Sequence, residues 1–375
     1  MRVDVVDPSA YTPPYDHALC AGLARAGADV RLITSRFGYG GVPRRSGYAV
    51  QERFYRGAAT LGRPGSRLRA AAKLAQHVPD MLAYRSAARS ADAVHFQWLT
   101  APPLDARLLP RGRPLVLTAH DVLAREPRGG QLGRRLARAG QRRLFDRVDA
   151  VVVHSEHGRA RLLRDAGVEP GKVHVIPHGA FAHLLDLPEE RPLPQELASG
   201  DGPVALFFGL LRPYKGLDVL LEAWRGITGA ELWVVGLPRM DVAPLRAAAP
   251  PGVRFVERYV ADEEIPALFR RADLVVLPYR EIDQSGVLFT ALAFGRPLLL
   301  SAVGGFPEVA AEGAAELVSP PGDPAALHAA LVRLLADPAA RERLAEGARR
   351  AALGRFGWDA IARRHLDLYR GLLDR

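Results

Sequence analysis

Cysteine is almost absent: Cys20 stands alone in 375 residues, so the chain can close no intramolecular disulfide and build no paired-thiolate metal site. No stretch approaches the ~20 consecutive apolar residues that cross a bilayer, which leaves only peripheral membrane contact. The opening "MRVDVVD" carries no basic segment ahead of an apolar run, and the expectation is a cytoplasmic protein, at most peripheral at the inner membrane face. Familiar chemistry is missing too. "GYGG" at 38–41 meets Pro43 where a dinucleotide fingerprint needs its last glycine, and "PGK" at 170–172 runs into Val173, which spoils a P-loop. With no H-E-x-x-H and no G-x-S-x-G, dehydrogenase, ATPase, zinc-hydrolase and serine-hydrolase readings lose their support.

What is present is an ordinary soluble composition, 48% hydrophobic and 25% charged, in a chain long enough for two domains. The formal charge of +10 is one-sided. Residues 1–190 hold 29 Lys+Arg against 18 Asp+Glu (+11), leaving 22 against 23 (−1) for the rest. Such an excess points to an anionic partner for the first half.

Short apolar runs alternate with helical patterns throughout. "RVDVVD", "DVRLIT", "AVHFQWL", "PLVLTAH", "AVVVHS" and "VHVIPH" read as strands, then "PVALFFGL", "ELWVVGL", "VRFVERYV", "LVVLPY", "PLLLSAV" and "AELVS". Runs apolar on both faces, with amphipathic helices between, indicate βαβ units around parallel sheets. Between the two series "LDLPEERPLPQELASGDGP", residues 185–203, breaks the rhythm with proline, glycine and charge. The fold class is therefore α/β, two Rossmann-like domains, with ligands expected beyond the carboxyl ends of the strands.

Two segments look built to hold anions. In "FFGLLRPYKGLDVLLEAW", residues 207–224, a strand ends at Gly209, a loop presents Arg212 and Lys215, and Gly216 leads into a helix. Glycines admit close backbone approach, a helix start offers unpaired N–H groups, and two cations neutralise a diphosphate. "LPYREIDQSGVLFTALAFGRP" repeats the design, with Gln284 or Ser285 as N-cap and the amides of Gly286 and Val287 free. Simple capping is the alternative for Gln284 and Ser285.

Taken together these motifs resemble the nucleotide-sugar glycosyltransferases of GT-B architecture, specifically retaining family 4, over nearly the whole chain. "FFGLLRPYKGLDVLLEA" is similar to the family's phosphate loop, "VADEEIPALFRRADLVVLPY" to the segment before its donor loop, and "ALAFGRPLLLSAVGGFPEV" to the helix and strand after it. The resemblance implies that two domains face an interdomain cleft, with Arg212 and Lys215 on the donor diphosphate, Tyr259 and Val260 edging the base, and His120, in "TAHD", at the transferred sugar. It also implies 1–190 as an acceptor-binding domain, 191–354 as a nucleotide-sugar-binding domain, and 355–375 as a helix packing back on the first. The donor is then a substrate and no cofactor is needed; cations and helix ends replace a metal. Acceptors in view are a glycan, a lipid-linked sugar or a small molecule. A non-catalytic partner, or a hydrolase or epimerase of the same fold, stands as the alternative.

Two departures bear on the site. The family's Gly-Gly loop is replaced by "SAYTPPYDHALC", which puts Tyr15, Asp16 and His17 on the acceptor side. The family's E-x7-E pattern falls on Ile282 and Thr290, so Glu281 is expected to stand in for the first carboxylate and the Thr290 hydroxyl to face the nucleotide. "IPHGAF" carries His178 where asparagine is usual. For His95 and His154, also at predicted strand ends, an interior hydrogen-bonded role is the ordinary explanation. The stretch 128–147 reads as a basic amphipathic helix, with Arg134, Arg135, Arg138 and Arg142 clustered, either a solvated face or a docking face for an anionic membrane surface. Nucleic acid is not expected, because no recognised module interleaves aromatics with these charges.

Overall fold

The computed structural model describes residues 1–38, 40–61, 65–121, 131–197 and 200–375, with the backbone alone described for 131–138. The chain divides into two units: Met1–His178 with Trp358–Arg375, and Gly179–Gly357. The first holds a seven-stranded sheet in the order β3-β2-β1-β4-β5-β6-β7, made of β1 (Arg2–Asp7), β2 (Asp29–Ser35), β3 (Ala49–Phe54), β4 (Ala93–Phe96), β5 (Leu115–Thr118), β6 (Ala150–Val153) and β7 (Val173–Val175). The second holds six strands in the order β10-β9-β8-β11-β12-β13, made of β8 (Val204–Phe208), β9 (Glu231–Val235), β10 (Val253–Val256), β11 (Leu274–Leu277), β12 (Leu298–Ser301) and β13 (Ala315–Val318). Neighbouring strands are parallel, as in β1 with β4 and β8 with β11.

Inner strands such as "AVHF", "LVLT", "AVVV" and "LVVL" are buried along their whole length because helices cover both faces. β3, "AVQERF", differs: it is an edge strand with mostly accessible polar side chains, and its lack of an apolar run hides it in the sequence. In each sheet the strand order reverses once, between β1 and β4 and between β8 and β11, and in sheets of this kind the crevice outside that reversal takes ligands.

Helix Trp358–Leu373 buries Trp358, Ile361, Leu366, Tyr369 and Leu372 in the first unit. It crosses helix Pro13–Arg25 closely: a Cβ on Gly22 would stand 2.9 Å from the Trp358 carbonyl oxygen, so Gly22→Ala would force the helices apart. Arg25 ties to Asp359 at 2.6 Å, and the Tyr369 hydroxyl meets His95 Nδ1 at 2.6 Å.

The division falls after His178 and after Gly357 rather than after 190 and 354. Segment 179–191 already belongs to the second unit through its hydrogen bonds. The amide of Ala180 donates to Phe356 O, that of Phe181 to Phe289 O and that of Arg191 to Glu263 O, while Glu190 pairs with Arg270. Among the described residues no helix is long and apolar enough to cross a membrane.

Candidate active site

In the second unit the loops after β8 and β11 meet at the sheet's reversal. Gly209, at φ +100, ends β8; a Cβ there would stand 2.9 Å from Lys215 Nζ and 3.1 Å from Val287 Cγ2, so glycine is required for both to approach. Gly216, at φ +71, lies so close to Pro278 O that a Cβ would overlap it at 2.1 Å. Arg280 then locks the two loops: its amide donates to Tyr214 O at 2.8 Å, Nη1 to Pro213 O at 2.9 Å and Nη2 to Asp218 at 2.5 Å.

Lys215 is the exceptional group of this site. Its ammonium is buried, with the side chain 6% exposed, and Nζ donates one hydrogen bond, to Phe208 O at 3.3 Å, while lying 5.3 Å over the Tyr279 ring. Burial, reinforced by the charge of Arg212, pushes its pKa down from the ordinary 10.5 to about 8. No carboxylate neutralises it among the described residues. Arg212 is exposed on extended backbone beside it. Helix Gly286–Ala293 starts here, and Ser285 occupies its N-cap position without a side-chain cap bond. The amides of Gly286 and Val287 find no acceptor among the described residues, so the helix start keeps donors for an anion. A buried cation, an exposed arginine and free amides around a glycine-lined approach make an anion cradle.

Other expected donor residues are distributed unevenly. Gln284 is half-buried, Ser285 buried and Glu281 exposed. Ile282, in the register of the family's first carboxylate, is 7% exposed, and Gly304 packs on its carbonyl so tightly that a Cβ would come within 1.9 Å. The Thr290 hydroxyl donates to Gly286 O at 3.0 Å, inside its own helix, and the side chain is buried. Tyr259 is exposed and Val260 buried, on a loop fixed by the Arg258–Glu264 pair.

In the first unit the carboxyl ends of β4, β5 and β6 gather Gln97, His120 and His154. His154 Nδ1 lies 3.0 Å from Ile176 O and must donate to it, leaving Nε2 as a lone-pair acceptor in the neutral ring. Burial pushes His154 down to about 4, so at pH 7 the ring is neutral. His120 Nδ1, 3.1 Å from that Nε2, therefore carries the proton, and His120 Nε2 is left as an acceptor. Gln97 completes the chain: its side-chain amide reaches His120 Nε2 at 3.2 Å through the oxygen as placed, and the turned amide gives the matching donor while satisfying a nitrogen that otherwise has no partner. Trp98 stacks on His120, centroids 5.0 Å apart, and Tyr15 meets its edge at 4.7 Å. Burial first, then neighbouring histidines, hold the His120 pKa well below the ordinary value. His154 was legible only as a strand-end residue and Gln97 only as part of the run "AVHFQWL"; nothing in spacing couples them to His120.

Tyr15, Asp16 and His17 are all buried, the last bonded to Tyr48 at 2.5 Å. Asp16 faces Asp7, whose carboxylate already accepts amides of Ser9, Tyr11 and Thr12. Burial, then the Asp7 charge and its hydrogen bond, raise the Asp16 pKa well above the ordinary value, so Asp16 is the member of the pair that takes the proton. The basic segment lies partly outside the described residues: 128–130 are not described, nor are the side chains of Arg134, Arg135 and Arg138, while helix Gln131–Arg147 is. No group of three or more His, Cys, Asp or Glu side chains suited to a metal occurs among the described residues.

Comparison with known proteins shows the family of the chain. Residues 202–337 match the family model "Glycosyl transferases group 1" and residues 14–179 the "Glycosyl transferase 4-like domain". A D-inositol 3-phosphate glycosyltransferase of Frankia alni is 31% identical over 75% of this chain and 74% of its own length. An alpha-D-kanosaminyltransferase of Streptomyces kanamyceticus is 27% identical over 72% and 73%. Among solved structures, sucrose-phosphate synthase of Thermosynechococcus elongatus superposes with a TM-score of 0.71 at 21% identity, covering 100% of this chain and 99% of that one. Alr3699/HepE of Anabaena, in complex with UDP, gives 0.70 at 20% identity over 99% and 100%.

Proposed function

The chain belongs to the GT-B glycosyltransferases resembling family 4, and from that premise we propose a retaining, metal-independent transfer of a sugar from a nucleoside-diphosphate sugar to a hydroxyl of a glycan, lipid-linked or small-molecule acceptor. The observation that carries the donor side is Lys215, a buried ammonium without a carboxylate partner among the described residues, at the end of β8. A cation held out of water is stabilised when an anion reaches it, and the nucleoside diphosphate is such an anion. Arg212 and the amides of Gly286 and Val287 add to the same charge field.

In the proposed reaction the acceptor oxygen bonds to the sugar's anomeric carbon as the bond from that carbon to the phosphate oxygen breaks. The electron pair stays with the phosphate oxygen, which receives the acceptor's proton, and nucleoside diphosphate leaves. Negative charge grows on the diphosphate in the transition state, where Lys215 and Arg212 meet it more strongly than in the ground state. That supplies the stabilisation for which other enzymes use a bound cation.

Retention draws support from the protonation states. An inverting enzyme needs a base opposite the leaving group, and Asp16 is protonated against Asp7, while the lowered His120 pKa makes that imidazole a weak base. His120 is assigned instead to the transferred sugar, as the family resemblance implies, with its ring held in place by His154 and Gln97. NMR of the product's anomeric proton tests the mechanism: the donor's own anomeric configuration is expected, and an inverted product refutes it.

A further inference from the structure

Most arginines of the second unit have a carboxylate, as Arg225 has Glu222, Arg254 has Glu231 and Arg258 has Glu264. The first unit holds a group that does not. A cavity of about 990 Å³ opens between the edge strand β3 and helix Arg67–Ala87, lined by Arg36, Arg45, Arg53 and Arg56, and none of the four forms an ion pair among the described residues.

Local structure explains how the four converge. Tyr55, at φ 55, turns the chain sharply out of β3 into the turn Arg56–Ala59, so Arg53 and Arg56 line the same space. Arg53 donates from Nε to Gln51 Oε1 at 2.7 Å and Arg56 from Nε to the Glu52 carbonyl at 2.6 Å. Both acceptors are neutral, and the Nη forks of both guanidiniums make no hydrogen bond among the described residues. That fork takes two oxygens of a phosphate side by side. Two carboxylates line the cavity, Glu52 and Asp80, the second accepting the Tyr55 amide at 2.7 Å, against four guanidiniums.

The positive field extends further. A second cavity of about 120 Å³ shares Arg36 and adds Arg69 and Lys73. Lys73 has its pKa lowered by burial first and then by the charge of Arg69, with Asp7 opposing. This is also where part of the first half's charge excess collects, and the sugar-transfer reading gives it no role.

We propose that the arginine-lined cavity beside β3 binds a phosphate-bearing ligand, either an anionic lipid headgroup or a soluble phosphate, separately from the nucleotide-sugar donor. The larger cavity exceeds the needs of one phosphate and suits a phosphate with its attached headgroup or sugar. Two forks on one ligand give charge-assisted bonds that weaken with salt.

The test compares the protein with Arg53→Gln/Arg56→Gln, both in a Lys215→Met background so that the donor cradle is weakened equally in the two. Binding of inorganic phosphate is followed by 31P NMR, and cosedimentation uses phosphatidylglycerol vesicles with phosphatidylcholine vesicles as control. The double substitution is expected to weaken binding by at least about tenfold, the scale of one lost charge-assisted bond, with an unchanged circular dichroism spectrum. Loss of phosphatidylglycerol cosedimentation assigns the lipid headgroup. Loss confined to inorganic phosphate assigns the soluble ligand. Equal binding by both proteins in both assays, or no binding by either, overturns the proposal.

Discussion

Replacing Lys215 by methionine should make the protein more stable and less able to bind its donor. The ammonium's pKa falls from 10.5 to about 8, or roughly 2.5 units, and at 1.36 kcal/mol per unit the native state carries a cost of about 3 kcal/mol for holding the charge out of water. Methionine removes that cost but leaves Phe208 O without its bond, worth about 1 kcal/mol, so the net gain is about 2 kcal/mol. At roughly 2–4 °C per kcal/mol for a domain of this size, the transition of the second unit should rise by about 4–8 °C. The sign follows from the direction of the shift. A lysine whose folded pKa lies below its unfolded one destabilises fully below pH 8, and the penalty fades as pH rises towards 10.5. Thermal and urea denaturation at pH 7 and pH 9.5 measure this: the variant's advantage should be full at pH 7 and smaller at pH 9.5. In parallel, kcat/KM for the donor should fall about a hundredfold, as a lost charge-assisted contact predicts. A variant that is less stable at pH 7, or whose advantage does not shrink with pH, would refute the reasoning about the buried ammonium.

Further outcomes follow from the first unit and from Thr290. Asp16 has a raised folded pKa, so its contribution is present at low pH and lost as pH rises through that value; Asp16→Asn keeps a donor for Asp7 and should flatten the stability–pH curve, measured by urea denaturation across pH 5–9. His154→Phe keeps the aromatic packing against Tyr15 but removes the acceptor for His120 Nδ1. Long-range 1H–15N spectra should then show His120 losing its Nδ1-protonated tautomer, with kcat down about tenfold and donor KM little changed. His154→Gln, which still offers an oxygen, should restore much of both, whereas an unchanged tautomer in the phenylalanine variant contradicts the hydrogen-bond chain. Thr290→Val should leave donor affinity within about twofold by calorimetry, because that hydroxyl serves Gly286 O; a large loss would show that it reaches the nucleotide.

How far the sequence foretold these features depends on where the controlling forces lie. Strands buried on both faces announce themselves as apolar runs, which is why β1, β5, β8 and β11 were readable. β3 was not, since an edge strand needs no apolar run. Gly209 and Gly216 were legible because only glycine tolerates their positive φ in so crowded a loop. Segment 179–191 was not assignable by composition: from 185 it reads as linker, and amide bonds to Phe356, Phe289 and Glu263, with the Glu190–Arg270 pair, place it in the second unit. The same holds for Asp16 and Thr290. Residue type alone makes the first a candidate base and the second a candidate ligand, but Asp7, brought beside it at the end of β1, and a local carbonyl, Gly286 O, decide their protonation and donor state. His120 stood out by its context, while its partner His154 lies 34 residues away and meets it only through the parallel pairing of β5 and β6.

The central claim is that Lys215 and its loop hold a nucleoside diphosphate whose departure drives sugar transfer. It is tested most directly by incubating the protein with UDP-, GDP- and dTDP-sugars, with and without a pooled acceptor extract, and following nucleoside diphosphate release in the native protein and in Lys215→Ala. Acceptor-dependent release from at least one donor, abolished by the substitution, is the predicted result. Release that persists undiminished in Lys215→Ala would contradict it.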